Sequence, residues 1–208
     1  MKQSAATIVQ EYGPFEGVQS VHGVTWDGER VWFANNQGLT AFDPQDGKTQ
    51  RNFAMPADAG TAFDGRYLYQ IAESSIQKID PQTGDILSTV PAPGDSDSGL
   101  TWAEGSLWVG QYQGRKIHQL DPQTGKILRT LESNRFVTGV TWVDGEFWHG
   151  TWEGEESEIR RIDPQTAEVL ETLRMPAGIG VSGLESDGGE RFFCGGGNSG
   201  RVRVVRRR

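Results

Sequence analysis

The sequence predicts an all-β chain, a five-bladed β-propeller with four antiparallel strands per blade, in a single domain over residues 1–208. Three observations predict it. Five glycine-led segments recur along the chain: Gly23-Val24-Thr25-Trp26, Gly60-Thr61-Ala62-Phe63, Gly99-Leu100-Thr101-Trp102, Gly139-Val140-Thr141-Trp142 and the weaker Gly180-Val181-Ser182-Gly183-Leu184. An Asp-Pro-Gln unit follows each of the first four, beginning at Asp43, Asp80, Asp121 and Asp163. Its period of roughly forty residues, with only strand patterns inside, marks a propeller blade. Finally, the last copy stops at Arg208 before a fourth strand, whereas Thr7-Ile8-Val9-Gln10 fills the slot that Ile86-Leu87-Ser88-Thr89 fills before a later copy. The N-terminal strand is therefore expected to join the last blade and close the ring, leaving no open gap between first and last blades.

Within each copy the strands read a, b, c and d from the axis outward. Strand a ends at Asp27-Gly28, Asp64-Gly65, Glu104-Gly105, Asp144-Gly145 or Asp187-Gly188, dipeptides that suit a tight hairpin because glycine accepts positive φ. Strand b follows, as in Val31-Trp32-Phe33 or Leu107-Trp108-Val109. The Asp-Pro-Gln-Thr-Gly unit joins c to d, its proline presetting φ and its aspartate accepting turn N–H groups. In the fourth copy Ala167 replaces the glycine, so that turn is expected to be strained.

Composition narrows the function classes. The formal charge of -8 disfavours nucleic acid and anionic membrane as partners. Arg201, Arg203, Arg206, Arg207 and Arg208 run against it at the C-terminus and read as a solvated strand end. The N-terminus has no apolar leader segment, and no stretch reaches the roughly 18 apolar residues of a membrane span. With one cysteine, Cys194, there is no internal disulfide. The expectation is a cytoplasmic monomer that acts on a small polar molecule without a cofactor or metal.

In a four-stranded antiparallel blade the a–b and c–d turns share one face of the disc and the b–c and d–a connections share the other. The second face varies from copy to copy and is where binding residues are expected. Six tryptophans fall at two repeat positions and read as core: Trp26, Trp102 and Trp142 at one, Trp32, Trp108 and Trp148 at the other. Trp152 stands outside the pattern, in what reads as the longest b–c loop, and is either a loop anchor or, with Tyr112, a stacking wall for a ligand. His22, Ala59, Ser98, Thr138 and Ser182 each precede a repeat glycine and should ring the channel mouth. Thr138 and Ser182 of that ring, with Glu153 and Asn35, complete the candidate substrate-binding set. His118 belongs to a row with Thr40, Gln77 and Arg160 that reads as exposed. His149 is either a buried, hydrogen-bonded histidine or an acid/base group. Cys194, beside Phe192 and Phe193, reads as inert core.

Two stretches carry a resemblance. Gly183-Leu184-Glu185-Ser186-Asp187 with Arg191-Phe192-Phe193-Cys194-Gly195-Gly196 looks like the closing blade of the glutamine cyclotransferases. Phe136-Val137-Thr138-Gly139-Val140 followed by Phe147-Trp148-His149-Gly150-Thr151-Trp152 is similar to the blade that presents their catalytic glutamate. A more distant resemblance is to the streptogramin lyases. The resemblance implies small-molecule proton-transfer chemistry, as in a lyase, cyclase or isomerase, with His149 standing where the family has its glutamate and His22 assisting. The alternative is a non-catalytic propeller binding a small ligand or protein on the same face. An enzyme should show a deep pocket with His149 reachable by solvent; a binding scaffold should show His149 shut between blades.

Overall fold

The computed structural model describes residues 2–207, so Arg208 of the basic tail lies outside it, and the described residues contain strands and turns but no helix. Among the described residues no helix is long and apolar enough to cross a membrane. Strands β1 (Lys2–Ala5) and β2 (Ile8–Tyr12) precede the first blade. Blade 1 holds β3 (Val24–Trp26), β4 (Val31–Asn35), β5 (Gly38–Phe42) and β6 (Thr49–Ala54). Blade 2 holds β7 (Thr61–Phe63), β8 (Leu68–Ala72), β9 (Ser75–Ile79) and β10 (Ile86–Pro91). Blade 3 holds β11 (Asp97–Ala103), β12 (Ser106–Gln111), β13 (Lys116–Leu120) and β14 (Ile127–Glu132). Blade 4 holds β15 (Val137–Val143), β16 (Glu146–Glu153), β17 (Glu156–Ile162) and β18 (Val169–Arg174). Blade 5 supplies β19 (Leu184–Ser186), β20 (Arg191–Gly195) and β21 (Val202–Arg206).

The fourth strand of blade 5 is β2, antiparallel to β21 with Tyr12 opposite Val202 and Ile8 opposite Val205, so the ring closes as the repeat pattern predicts. The sequence gives no sign of β1, which lies parallel to β18 as a fifth strand on blade 4. Its four residues are all exposed, so no apolar alternation announces it. Backbone pairing and the Lys2–Glu171 ion pair at 2.6 Å hold it. The N-terminal segment thus spans blades 4 and 5. In the c–d turns Asp43, Asp80, Asp121 and Asp163 accept the N–H two residues on. Ala167 takes φ 62° where its counterparts are glycine, the strain expected there.

Five glycines set how closely the inner strands meet. A Cβ on Gly23 would collide with the backbone of Ala59 and Thr61, and one on Gly60 with Gly99 and Leu100. Gly99 would strike Gly139 and Val140, Gly139 would strike Gly183 and Leu184, and Gly183 would strike His22 and Val24, which completes the circle. None of the five has positive φ, so they are required for space and not for a turn. Outside this ring each blade is a filling between its neighbours: Trp108 packs on Phe147 of blade 4 at 5.2 Å and Trp148 on Phe192 of blade 5 at 5.1 Å. The row of Thr40, Gln77, His118 and Arg160, expected to be exposed, is buried, because strand c is covered by a blade on each side. His118 Nδ1 bonds Thr130 Oγ1 at 2.8 Å. The basic tail also differs from a solvated strand end. Arg203 and Arg207 are buried, paired with Glu11 and Asp144 respectively.

Two residues beyond the ring glycines, Thr25, Ala62, Thr101 and Thr141 are joined at the fifth place by Glu185. Its carboxylate accepts hydrogen bonds from Thr25 Oγ1 of blade 1 at 2.9 Å, from Thr141 Oγ1 of blade 4, and from Ser186 N at 2.9 Å. It therefore ties three blades across the axis. The residue as a whole is half-buried, but protein surrounds the carboxyl closely and burial pushes its pKa up to about 7, against the opposing effect of these bonds.

Two expectations follow. Gly139→Ala should destabilise the fold by about 3 kcal/mol, the upper end for overpacking, since backbone on the facing strand has nowhere to move; urea unfolding within about 0.5 kcal/mol of wild type would contradict the ring's role. For Glu185, the folded pKa of about 7 lies above the ordinary value of 4.5, so its contribution is fully present below about pH 4.5 and lost as pH rises through 7. Relative to Glu185→Gln, wild type should lose stability on the order of 3 kcal/mol between those limits. Parallel melting-temperature profiles for the two proteins would rule this out.

Candidate ligand site at the channel mouth

The residues preceding the ring glycines stand at the b–c and d–a end of the axis. Three of them, Ser98, Thr138 and Ser182, line an open pocket of about 250 Å³ together with Tyr112 and Trp152. Blades 3, 4 and 5 all contribute. The segment carrying Trp152 is not the long loop the sequence suggests: β16 and β17 continue to a tight hairpin through Gly154 at φ +62°. Trp152 is thus a strand residue, rigidly placed. Its indole lies over Gly180 and Gly197 of blade 5, where a Cβ on either would meet the ring. Gly180 is in this way the seat of Trp152 and Gly183 the ring glycine, which explains why the fifth repeat looks irregular. Trp152 Nε1 donates to Gly154 O at 3.0 Å, and Tyr112 Oη donates to Trp152 O at 3.1 Å.

The mouth hydroxyls follow a repeat logic with one exception. Ser98 Oγ reaches Val137 O at 2.6 Å and Gly110 O at 2.9 Å, and Ser182 Oγ donates to Val21 O while accepting Gly197 N at 3.0 Å. Val137 and Val21 each stand two residues before the next ring glycine, so both serines stitch their blade to the following one. Thr138 holds the same place in blade 4, yet its buried Oγ1 has no hydrogen-bond partner among the described residues.

The remaining candidates sit elsewhere. His22 is in the mouth ring, where Nε2 lies 3.1 Å from Ser20 Oγ and 2.8 Å from Asn36 Oδ1, but it does not line the pocket. Asn35 is buried and engaged within its own blade, bonding Thr40 Oγ1 at 3.3 Å and Gln37 N at 2.8 Å. Glu153 is held by Phe136 N at 2.8 Å and Arg135 at 3.0 Å, which secures the base of the hairpin. Backbone and guanidinium donors keep its carboxyl below the usual range against the opposing effect of desolvation.

His149, read as either a buried histidine or an acid/base group, is buried. Strand alternation puts it on the side of Phe147, facing blade 3, whereas Trp148 and Trp152 face blade 5. It is 1 % exposed and lines a crevice of about 230 Å³ with Asn134, Ile162 and Val169, which shares no lining residue with the mouth pocket. Burial lowers its pKa to about 4, so the ring is neutral at physiological pH. Its Nδ1 lies 3.2 Å from Gly150 O. Cys194 is buried as expected, with its thiol pushed up to about 12 by burial. No cluster of three or more His, Cys, Asp or Glu suited to a metal occurs among the described residues. Sequence reasoning missed Glu185, Gly180 and Gly197. The carboxylate at a threonine repeat position was a legible signal, but the seat of Trp152 was not, because it pairs two loops of another blade.

No protein-family model and no curated protein matches the chain. Among solved structures, glutaminyl cyclase of Myxococcus xanthus is similar over 99 % of this chain and 97 % of its own, with TM-score 0.81 at 16 % identity. RRP9 WD40 repeats match over 98 % and 99 % with TM-score 0.60 at 10 % identity. Hydrazine synthase of Kuenenia stuttgartiensis matches over 85 % of this chain and 55 % of its own, with TM-score 0.55 at 17 % identity. At these identities the likeness is one of fold: the chain is a five-bladed propeller built like the M. xanthus glutaminyl cyclase from end to end.

Proposed function

We propose that this propeller binds a small molecule at the channel mouth, between Tyr112 and Trp152 and against Ser98, Thr138 and Ser182. The observation that carries this reading is the convergence of these five side chains from three blades on one open pocket of about 250 Å³. A concave site with an aromatic wall and a few placed polar groups suits a small ligand. The unpaired Thr138 Oγ1 is a further support, since buried hydroxyls ordinarily find a partner.

Turnover by His149 has less support. A general acid or base must come within hydrogen-bond reach of the reacting atom, and this imidazole faces another blade from a crevice outside the pocket. The pocket lining includes no titratable side chain apart from the Tyr112 phenol. Binding without chemistry at His149 is therefore the function the geometry favours, and the likeness to a glutaminyl cyclase bears on the scaffold.

A thermal-shift screen with small polar molecules should find one that raises the melting temperature of wild type and leaves Trp152→Ala unmoved. Saturation at one hundred times Kd corresponds to about 2.7 kcal/mol. Ligands that shift both proteins equally would place the site elsewhere. For His149, the folded pKa of about 4 lies below the ordinary 6.5, so its contribution is present above pH 6.5 and lost as pH falls through 4. On acidification wild type should lose stability relative to His149→Gln, a residue that blade 2 carries at this place as Gln70. A His149 resonance titrating near 6.5 by NMR would contradict its enclosure.

A further inference from the structure

The mouth pocket has an unusual hydrogen-bond inventory. Each hydroxyl and the indole carry one proton, and a backbone carbonyl can only accept. Ser98 directs its proton at Gly110 O and Val137 O, Ser182 at Val21 O, Tyr112 at Trp152 O, and Trp152 Nε1 at Gly154 O. Four of the five lining side chains thus have their sole donor engaged by protein carbonyls. What Ser98, Ser182 and Tyr112 have left is oxygen lone pairs, and Trp152 and Tyr112 add aromatic faces. No lysine, arginine or histidine lines the pocket.

We infer that the mouth pocket selects a small organic cation, a primary or secondary alkylammonium, over neutral and anionic molecules of the same shape. The inference rests on the mouth being the binding site. An ammonium supplies N–H donors to a lining in which only the Thr138 hydroxyl keeps an uncommitted proton, and its charge is attracted by the negative faces of Trp152 and Tyr112. A carboxylate entering the same space would lose its hydration for at most the one donor of Thr138, unless a serine released its carbonyl and left it unsatisfied. The overall charge of -8 draws cations toward the molecule and repels anions.

Three probes of one shape separate these cases: 2-phenylethylammonium, 2-phenylethanol and phenylacetate, titrated calorimetrically into the 208-residue chain at pH 7 and near-physiological salt. The cation should bind at least ten-fold more tightly than the alcohol, and phenylacetate should give no detectable heat. Trp152→Ala should abolish cation binding, and Tyr112→Phe, which keeps the ring and removes one acceptor, should weaken it several-fold. Both variants keep the net charge, so retention of cation binding in both would assign it to diffuse surface attraction and overturn the inference together with the mouth site. Binding of alcohol or phenylacetate as tight as the cation, and lost in Trp152→Ala, would overturn the choice of cation and leave the mouth site standing. Failure of all three probes on wild type would also overturn the cation preference. The mouth site would then fall only if the broader thermal-shift screen found no ligand sensitive to Trp152.

Discussion

Everything in this molecule depends on five glycines without side chains at the axis. Gly23, Gly60, Gly99, Gly139 and Gly183 let each inner strand approach the backbone of the next within a distance no Cβ would tolerate. Interiors are close-packed and do not yield to an added methyl. The ring therefore sets the diameter of the channel. It also fixes the height at which neighbouring side chains appear: the residue before each glycine at the mouth, and the residue two after it inside the channel.

From that register the polar architecture follows. At the mouth, serines stitch successive blades through the carbonyls of Val137 and Val21, which immobilises the hydroxyls and aims their lone pairs. Deeper in the channel, Glu185 takes the place of a threonine and gathers Thr25 and Thr141 from the flanking blades. A carboxyl there is favoured neutral, just as the enclosed His149 is. The two groups respond to pH in opposite directions because burial disfavours the charged form of each, and the charged forms lie on opposite sides of neutrality.

The candidate site combines a rigid wall and an unfilled polar position. Trp152 is held from beneath by Gly180 and Gly197, at its edge by Gly154 O, and through its carbonyl by Tyr112. Such preorganisation lowers the ordering entropy of binding. Its cost is paid in sequence regularity, since blade 5 gives up the repeat pattern around Gly180 to accommodate the indole.

Much of this was legible before the structure. Blade number, hairpin turns, the closing N-terminal strand and the membership of the mouth ring follow from residues recurring at a fixed period, because each repeat must bury the same faces against the same kind of neighbour. Trp152 was legible as a departure from that period. Three things were not. The fifth strand on blade 4 depends on backbone pairing, to which the side chains of Lys2–Ala5 contribute no pattern. The burial of the row through His118 and Arg160 depends on a second blade covering strand c. The direction of His149 depends on which neighbour its strand face meets, and period-two alternation distinguishes two sides without saying which one opens on the mouth. The sequence by itself determined the repeat and the residues at each height of the ring; tertiary packing alone decided which of them line the mouth pocket, because that is set by contacts between blades remote in the chain.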